Sequence, residues 1–390
     1  MDFKDVMIQR LCNQGRKKRT FPQREDMLLT LHHLQMMTVG QADRLFCNTF
    51  ISESIQLLIN AVLLFEDGYF DCAFYSLRQS SELFNNMLYI SNKGEDELKE
   101  WNKKSYFPMN KKVLEQLEKL DCFYVQVKES IPDFFEGYEN KIKNINKIVH
   151  KQGLDNFYTL RDFCIRNKIH SEEQELNLFM DLFNDTLCML VILYVITDPI
   201  SLVLTDEKLS MRLHFAPMTE PASIGIVEKY LSPQIIDKIK STDCFKELSD
   251  YLMEQEEMQP AVADVVRWEF IDLDSLDDIN KQRHLLSLDA KLIIDILLRG
   301  INISTIYPNC IFPGYNTSIK LKYQANEWSS LEYSAFLNQG EQYNICYHNV
   351  YRSVFRGYAD NWLLEHNNEL TQEEIEEIKG IFSDYRMQNA

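Results

Sequence analysis

The sequence predicts a mainly α protein: an antiparallel helical bundle followed by an α-rich C-terminal domain with a few short strands possible. Three observations carry this. Apolar residues recur at helical spacing from Ser52 to about Pro199, the pattern of amphipathic and buried helices. Within that stretch Gly and Pro stand only at breaks: Asp67-Gly68, Asn92-Lys93-Gly94, near Pro108, Ile131-Pro132 and Gln152-Gly153. Beyond residue 300, two short stretches have strand character, the β-branched run Asn302–Tyr307 and the period-two alternation Ser318–Tyr323.

Composition bounds the problem. A chain of 390 residues and 46.1 kDa, 45% hydrophobic and 26% charged, has the make-up of two or three packed domains. It is not that of a disordered or collagen-like protein. A net charge of −18 excludes a polycation that wraps nucleic acid. The charge is uneven: +3 over residues 1–50, −8 over 51–200 and −13 over 201–390. Such a body repels phosphate except at local patches.

Residues 1–50 form an N-terminal helical segment with a basic patch, Arg16-Lys17-Lys18-Arg19. Leu28, Leu31 and Leu34 place a helix over Pro22–Met36. Thr38 and Gln41 have the spacing of a capping box for a short helix running to Cys47. Two helices behind a basic tetrapeptide invite a helix-turn-helix reading. The following stretch, Ser54–Phe65, is apolar nearly all round and belongs in a core rather than a major groove. The patch therefore reads as a solvated or partner-facing surface, with nucleic-acid contact as the alternative.

Residues 51–200 hold four or five bundle helices. The run Leu187–Ile196 is a buried core helix, shorter than the roughly 18 residues a membrane span needs. Prolines at 199, 217, 221 and 233 mark a boundary near 200–220, leaving 201–390 as the C-terminal domain. There, Leu285–Leu298 is helical, and Thr371-Gln372-Glu373-Glu374 opens a closing helix, by another capping box, that runs to about Arg386. Tyr343, Tyr347, Tyr351, Phe355, Tyr358 and Trp362 recur at helical spacing with Arg352 and Arg356 pointing away. They read as a packed core edge rather than a base-stacking surface.

Nine single cysteines without CxxC spacing suit buried thiols in a reducing cytosol better than a disulfide framework or a zinc site. The opening residues lack the apolar core of a signal peptide, so the expected location is cytoplasmic, without membrane attachment. No nucleotide-binding or hydrolase motif occurs. The histidines lack ligand spacing, and Asp272–Asp278 lacks the turn glycine of a calcium loop. No metal or cofactor is expected.

The most informative stretch is Tyr138–His150. At about 100° per residue, Tyr138, Ile142, Ile145, Ile148 and Val149 share one side, and Lys143, Asn146, Lys147 and His150 the other. Upstream, Tyr69–Ile90 carries an apolar stripe, with Arg78 and Glu82 spaced i,i+4 to pair beside it.

These residues resemble the HEPN superfamily of helical domains. Asp67-Gly68-Tyr69-Phe70-Asp71-Cys72-Ala73 with Leu77-Arg78-Gln79-Ser80-Ser81-Glu82 is similar to its "G-Y-x-x-A … Q-x-x-E" signature. Asn146–His150 is similar to the helix where nuclease members carry Arg and, after four to six residues, His. The resemblance covers about residues 52–155. It implies a catalytic His150 and puts Lys143 in the place of the arginine, with Asn144 beside it. In such ribonucleases those two positions cleave RNA without a metal at a site two domains share. Lysine is a point charge where arginine offers a planar fork. That departure weighs towards a non-catalytic assembly module, acting with a protein partner or as a homodimer in a prokaryotic defence or toxin–antitoxin setting. The second reading is a metal-independent RNA endonuclease using His150 and Lys143, with Lys147 contacting RNA. A third is a nucleic-acid-binding adaptor using Arg16, Lys17, Lys18 and Arg19.

Overall fold

The computed structural model describes residues 2–13, 19–21, 23–103, 108–157, 172–219, 231–308, 314–322, 330–347, 349–358 and 360–388. The chain forms two compact units. The first comprises Met1–Glu207 and Pro217–Tyr251, the second Lys208–Ala216 and Leu252–Ala390. The N-terminal segment and the bundle thus share one unit, and the chain returns to it after leaving near residue 207.

The first unit is helical: α1 (Phe3–Asn13), α2 (Arg24–Gln35), α3 (Cys47–Glu66), α4 (Phe70–Lys93), α5 (Glu95–Asn102), α6 (Asn110–Leu120), α7 (Cys122–Ser130), α8 (Pro132–Val149), α9 (Glu172–Thr197) and α10 (Ile200–Val203). After α11 (Glu207–Ser210) come α12 (Pro233–Lys240) and α13 (Asp243–Met253). The breaks read from the sequence fall where helices end. The tightest is Asp67-Gly68-Tyr69. There the Gly68 N–H donates to the Phe65 carbonyl at 3.1 Å and the Tyr69 N–H to that of Leu64 at 2.7 Å. This helix ending needs a left-handed residue, and Gly68 has φ +82°. It turns α3 back so that α4 packs along it, with the Ser80 hydroxyl donating to the Ser54 carbonyl at 3.0 Å.

Aromatic rings fill the end of the bundle near this turn. Phe65 stacks on Phe179 of α9 with centroids 4.1 Å apart, and Phe21, Phe70 and Phe74 close round them. Further along, small Ser81 lets helices approach. The buried Tyr138 hydroxyl of α8 meets Thr186 of α9 at 3.4 Å and hydrogen-bonds Ser81 of α4. This junction fixes α8 against α4.

Several expectations are corrected. Thr38 caps nothing: its hydroxyl donates to the Met36 carbonyl, while the Gln41 amide reaches Asp198 at 3.3 Å. Cys47 opens α3 instead of ending a helix. α3 is buried on one side only, with Leu63 exposed, because α4 covers a single face. The apolar run at 187–196 lies within a 26-residue helix. By length and composition, Cys47–Glu66 and Glu173–Thr197 could each cross a bilayer, but most of the second helix's apolar window is buried in the protein.

The second unit surrounds a six-stranded sheet: β1 (Phe270–Ile271), β2 (Thr305–Tyr307), β3 (Tyr315–Thr317), β4 (Gln342–Tyr347), β5 (Val350–Arg356) and β6 (Asn361–His366). The order is β1-β3-β2-β6-β5-β4, antiparallel except for the β1–β3 pair. Its helices are α14 (Pro260–Trp268), α15 (Leu276–Lys281), α16 (Leu288–Leu297), α17 (Ser330–Leu337) and α18 (Gln372–Gln388). Phe355, Trp362 and Leu364 pack in one core with Leu292, Ile293 and Ile296 of α16 and Ile378 and Phe382 of α18. Val354 and Leu363 face the other way, towards Leu337.

Two further expectations change here. The alternating residues 318–322 form a loop, its backbone held by Asn367 at Lys320 and Lys322; the strand is the preceding Tyr315–Thr317. Residues 343–362 form strands and a hairpin, not a helix. Their spacing of aromatics imitates a helical repeat, but β5 pairs with β6 from Tyr351↔His366 to Arg356↔Asn361. Period two then buries Arg352 completely. The closing capping box is present: the Glu374 N–H donates to Thr371 Oγ1 at 3.2 Å and the Thr371 N–H to the Glu374 carboxylate at 2.7 Å.

Candidate functional site

The site is a seam between α4 and the end of α8. Helix α8 starts at Pro132, which needs no N–H partner in the first turn, and buries Phe135, Tyr138 and Ile145. Its opposite face carries exposed Lys143, Asn144 and Lys147, and exposed His150 sits at its C-cap.

His150 and Lys143 have different neighbours. No hydrogen bond or ion pair joins them among the described residues; the Lys143 ammonium lies 3.8 Å from Glu139 on its own helix. His150 instead meets α4, its Nε2 lying 3.3 Å from Arg78 Nη1. A guanidinium only donates, so Nε2 accepts and the ring proton sits on Nδ1. The other Arg78 terminal nitrogen binds Glu82 at 2.7 Å, the i,i+4 pair anticipated from spacing. Glu82 therefore holds the guanidinium plane while one edge addresses the imidazole.

The next residue tightens the seam. Lys151 adopts φ +54°, where glycine or asparagine is usual. The Lys151 N–H donates to Ile148 and that of Gln152 to Lys147, closing α8 as Gly68 closes α3. A lysine stands there because its ammonium pairs with Asp71 of α4. Two contacts, Lys151–Asp71 and His150–Arg78, thus bind the end of α8 to points about two turns apart on α4. Cys72 and Tyr75 are exposed between those two points, Tyr75 by 49%.

Electrostatically the seam is nearly balanced. Arg78, Lys143 and Lys151 each have a carboxylate partner, and Lys147 contacts the Asn144 carbonyl oxygen at 3.4 Å. The arrangement can present an imidazole beside an oriented guanidinium, flanked by a tyrosine ring. It offers no cluster of His, Cys, Asp or Glu able to hold a metal among the described residues.

The basic patch fares differently. Arg16, Lys17 and Lys18 lie outside the described residues. Arg19 turns inward: it binds Glu175 at 2.7 Å, with its guanidinium 4.0 Å above the Phe70 ring and its side chain 12% exposed. Arg19, read from the sequence as part of a solvated or partner-facing surface, is instead largely buried in this ion pair and against the ring. In Asp272–Asp278, both carboxylate oxygens of Asp272 serve as local caps, to the Asp274 N–H and the Ser275 hydroxyl.

Reading the sequence missed polar pairs that depend on the sheet. Arg352 and Glu365 form an ion pair at 2.9 Å, with side chains 0% and 3% exposed. The Tyr307 hydroxyl also donates to Glu365, at 3.2 Å. On the other face, Ser353 meets His366 Nε2 at 3.0 Å while Nδ1 faces the Asn368 carbonyl at 2.6 Å. This has the connectivity of a nucleophile, base and orienting group. Both residues are fully buried, and the Ser353 oxygen also accepts the Asn344 N–H at 3.0 Å. No substrate reaches that hydroxyl, so the trio is structural. Burial runs unbroken from Arg352 to Phe355 on both faces of β5, so no alternation in the sequence announced these pairs.

No protein-family model, curated protein or solved structure matches this chain.

Proposed function

We propose that the first unit is a non-catalytic helical assembly module, HEPN-like in kind, that pairs with a second copy of itself through the α4–α8 seam. Such a module would serve a defence or toxin–antitoxin type of system by bringing chains together. The supporting observation is that the seam's carboxylates already occupy Arg78, Lys143 and Lys151, beside exposed Tyr75. Cations held this way bind a scissile phosphate poorly, since each must first give up its partner. Tyr and Arg ordered on a rigid helix are the side chains that anchor protein interfaces. Sedimentation over a concentration series tests this: the full chain should dimerise, and Tyr75→Ala with Arg78→Ala should leave monomer. A wild-type protein that stays monomeric throughout, or a dimer indifferent to both changes, would reject the reading.

One observation favours a second reading, a metal-independent RNA endonuclease. Arg78, not Lys143, lies against His150, which supplies the planar fork that Lys143 lacks. Arg78 would hold the phosphate once Glu82 releases one edge, and His150 would take the proton of the attacking 2′-hydroxyl. RNA incubated with the chain and a chelator should then be cut, and His150→Ala and Arg78→Lys should each abolish cutting. Intact RNA after long incubation would leave the assembly reading alone.

A further inference from the structure

The first unit brings together two cysteines far apart in sequence. Cys122 is the first residue of α7 and is exposed; Cys244, in the first turn of α13, is partly buried. Their sulfurs lie 3.2 Å apart, inside van der Waals contact. A second contact fixes this approach: the Cys244 N–H donates to Gln126 Oε1 at 2.9 Å, one helical turn beyond Cys122. Asp121, before Cys122, is itself held by Asn92 and caps α7 through the Tyr124 N–H. Both thiols are thus mounted on anchored helix starts. Bond formation needs an approach of roughly 1 Å, to the usual sulfur–sulfur length of about 2.0 Å.

We propose that Cys122 and Cys244 are a redox-active dithiol that takes small-molecule disulfides of the glutathione class as substrate and closes to an internal disulfide. Exposed Cys122 reacts first. Its thiolate attacks one sulfur of the oxidised glutathione, the disulfide bond breaks, and one glutathione thiolate leaves and takes up a proton. Cys244 then loses its proton, attacks the Cys122 sulfur of the mixed disulfide and expels the second glutathione. The two protein thiols are oxidised, and one glutathione disulfide is reduced to two thiols. The order follows from the surroundings. Burial, with the neighbouring Cys122 thiol next, pushes the Cys244 thiol up to about 12, so Cys244 forms thiolate less readily and acts as the resolving group. The product ties α7 to the segment that returns to the first unit after residue 216. It does not depend on the assembly reading, because neither cysteine belongs to the α4–α8 seam.

The test uses the full chain in buffers of increasing oxidised-to-reduced glutathione, quenched with acid, alkylated, and digested without reduction. Mass spectrometry should find the Cys122–Cys244 linked peptide, two hydrogens lighter than its free parts, as the predominant internal cross-link, and reduction should remove it. In Cys244→Ser, glutathione should remain on Cys122 at least roughly tenfold longer than in the wild type, where an internal thiol at high effective concentration displaces it. If wild-type Cys122 keeps glutathione as long as the variant does, the proposal fails. It fails equally if exposed Cys72 or Cys346 cross-links in comparable yield, since the linkage then reflects exposure rather than a built pair.

Discussion

Replacing Glu365 with leucine takes from Arg352 its buried carboxylate partner in the sheet. The guanidinium is fully buried, and its Nε lies 2.9 Å from the Glu365 carboxylate. For charge centres about 4 Å apart at an effective dielectric near 20, the lost attraction is ~4 kcal/mol. Removing one partner of a buried pair typically costs ~3–5 kcal/mol, because the remaining charge stays desolvated. The change also takes the acceptor from the Tyr307 hydroxyl. We expect Glu365→Leu to destabilise the second unit by ~3–5 kcal/mol, a fall in its melting temperature of roughly 10 °C. Arg352→Met with Glu365→Leu should recover most of that loss, since an apolar pair of similar volume needs no counter-charge. Calorimetry and urea unfolding of the wild type, both single variants and the double variant give the coupling. A Glu365→Leu cost below ~1 kcal/mol, or additive costs in the double variant, would refute the view that Glu365 is there to neutralise Arg352.

Thr371→Ala removes one half of the capping box on α18 and should cost about 1 kcal/mol in urea unfolding, with Thr371→Ser restoring it. Gly40→Ala should cost ~1–3 kcal/mol, because its methyl would overlap the Thr219 backbone, next to the hydroxyl that donates to Asp198 at 2.7 Å; a smaller loss in thermal unfolding would show that this contact yields. Burial holds the His366 imidazole below its ordinary pKa, so the folded form binds the proton more weakly than the unfolded chain. Its contribution is neutral above the unfolded value near 6.5 and turns increasingly unfavourable as pH falls below that, until the folded value is passed. The second unit should lose stability from pH 7 to 5 more steeply than a His366→Gln variant, as thermal melts across that range would reveal.

Local signals carried far, and long-range ones did not. Gly68, Gly94, Pro132 and Gly153 stand at helix ends, and the Thr371 box caps α18. Each of those features is decided by backbone groups within four residues, so the local sequence suffices. The Arg78–Glu82 pair is local in the same sense. Arg78 and His150 are 72 residues apart, and nothing in either segment states that they meet. A wheel drawn on α8 alone assigns His150 the cation on its own helix, when the nearer one comes from α4. In the second unit the error was one of period. Aromatics spaced by three or four residues match a helix as well as they match a hairpin whose turn breaks the alternation, and only pairing with β6 decides. Arg352, read as solvent-facing, is consequently a buried ion.

The seam's composition bears on the two proposed readings. A helix ending at Val149 would be satisfied more easily by glycine at position 151, as α3 is by Gly68. Lysine there accepts a left-handed backbone that costs of order 1 kcal/mol or more. Its half-exposed ion pair with Asp71 returns only ~0–1 kcal/mol. The exchange gains little stability, yet it fixes the end of α8 on α4 one step from His150. The Tyr138 junction with Ser81 and Thr186 already holds the two helices together farther along, so Lys151 is not needed to keep them packed. What it adds is the placement of one imidazole against one guanidinium. Both proposed readings of the seam, assembly and RNA cleavage, draw on that asymmetry: each would use polar groups positioned at little or no gain in stability for contact with something outside the chain.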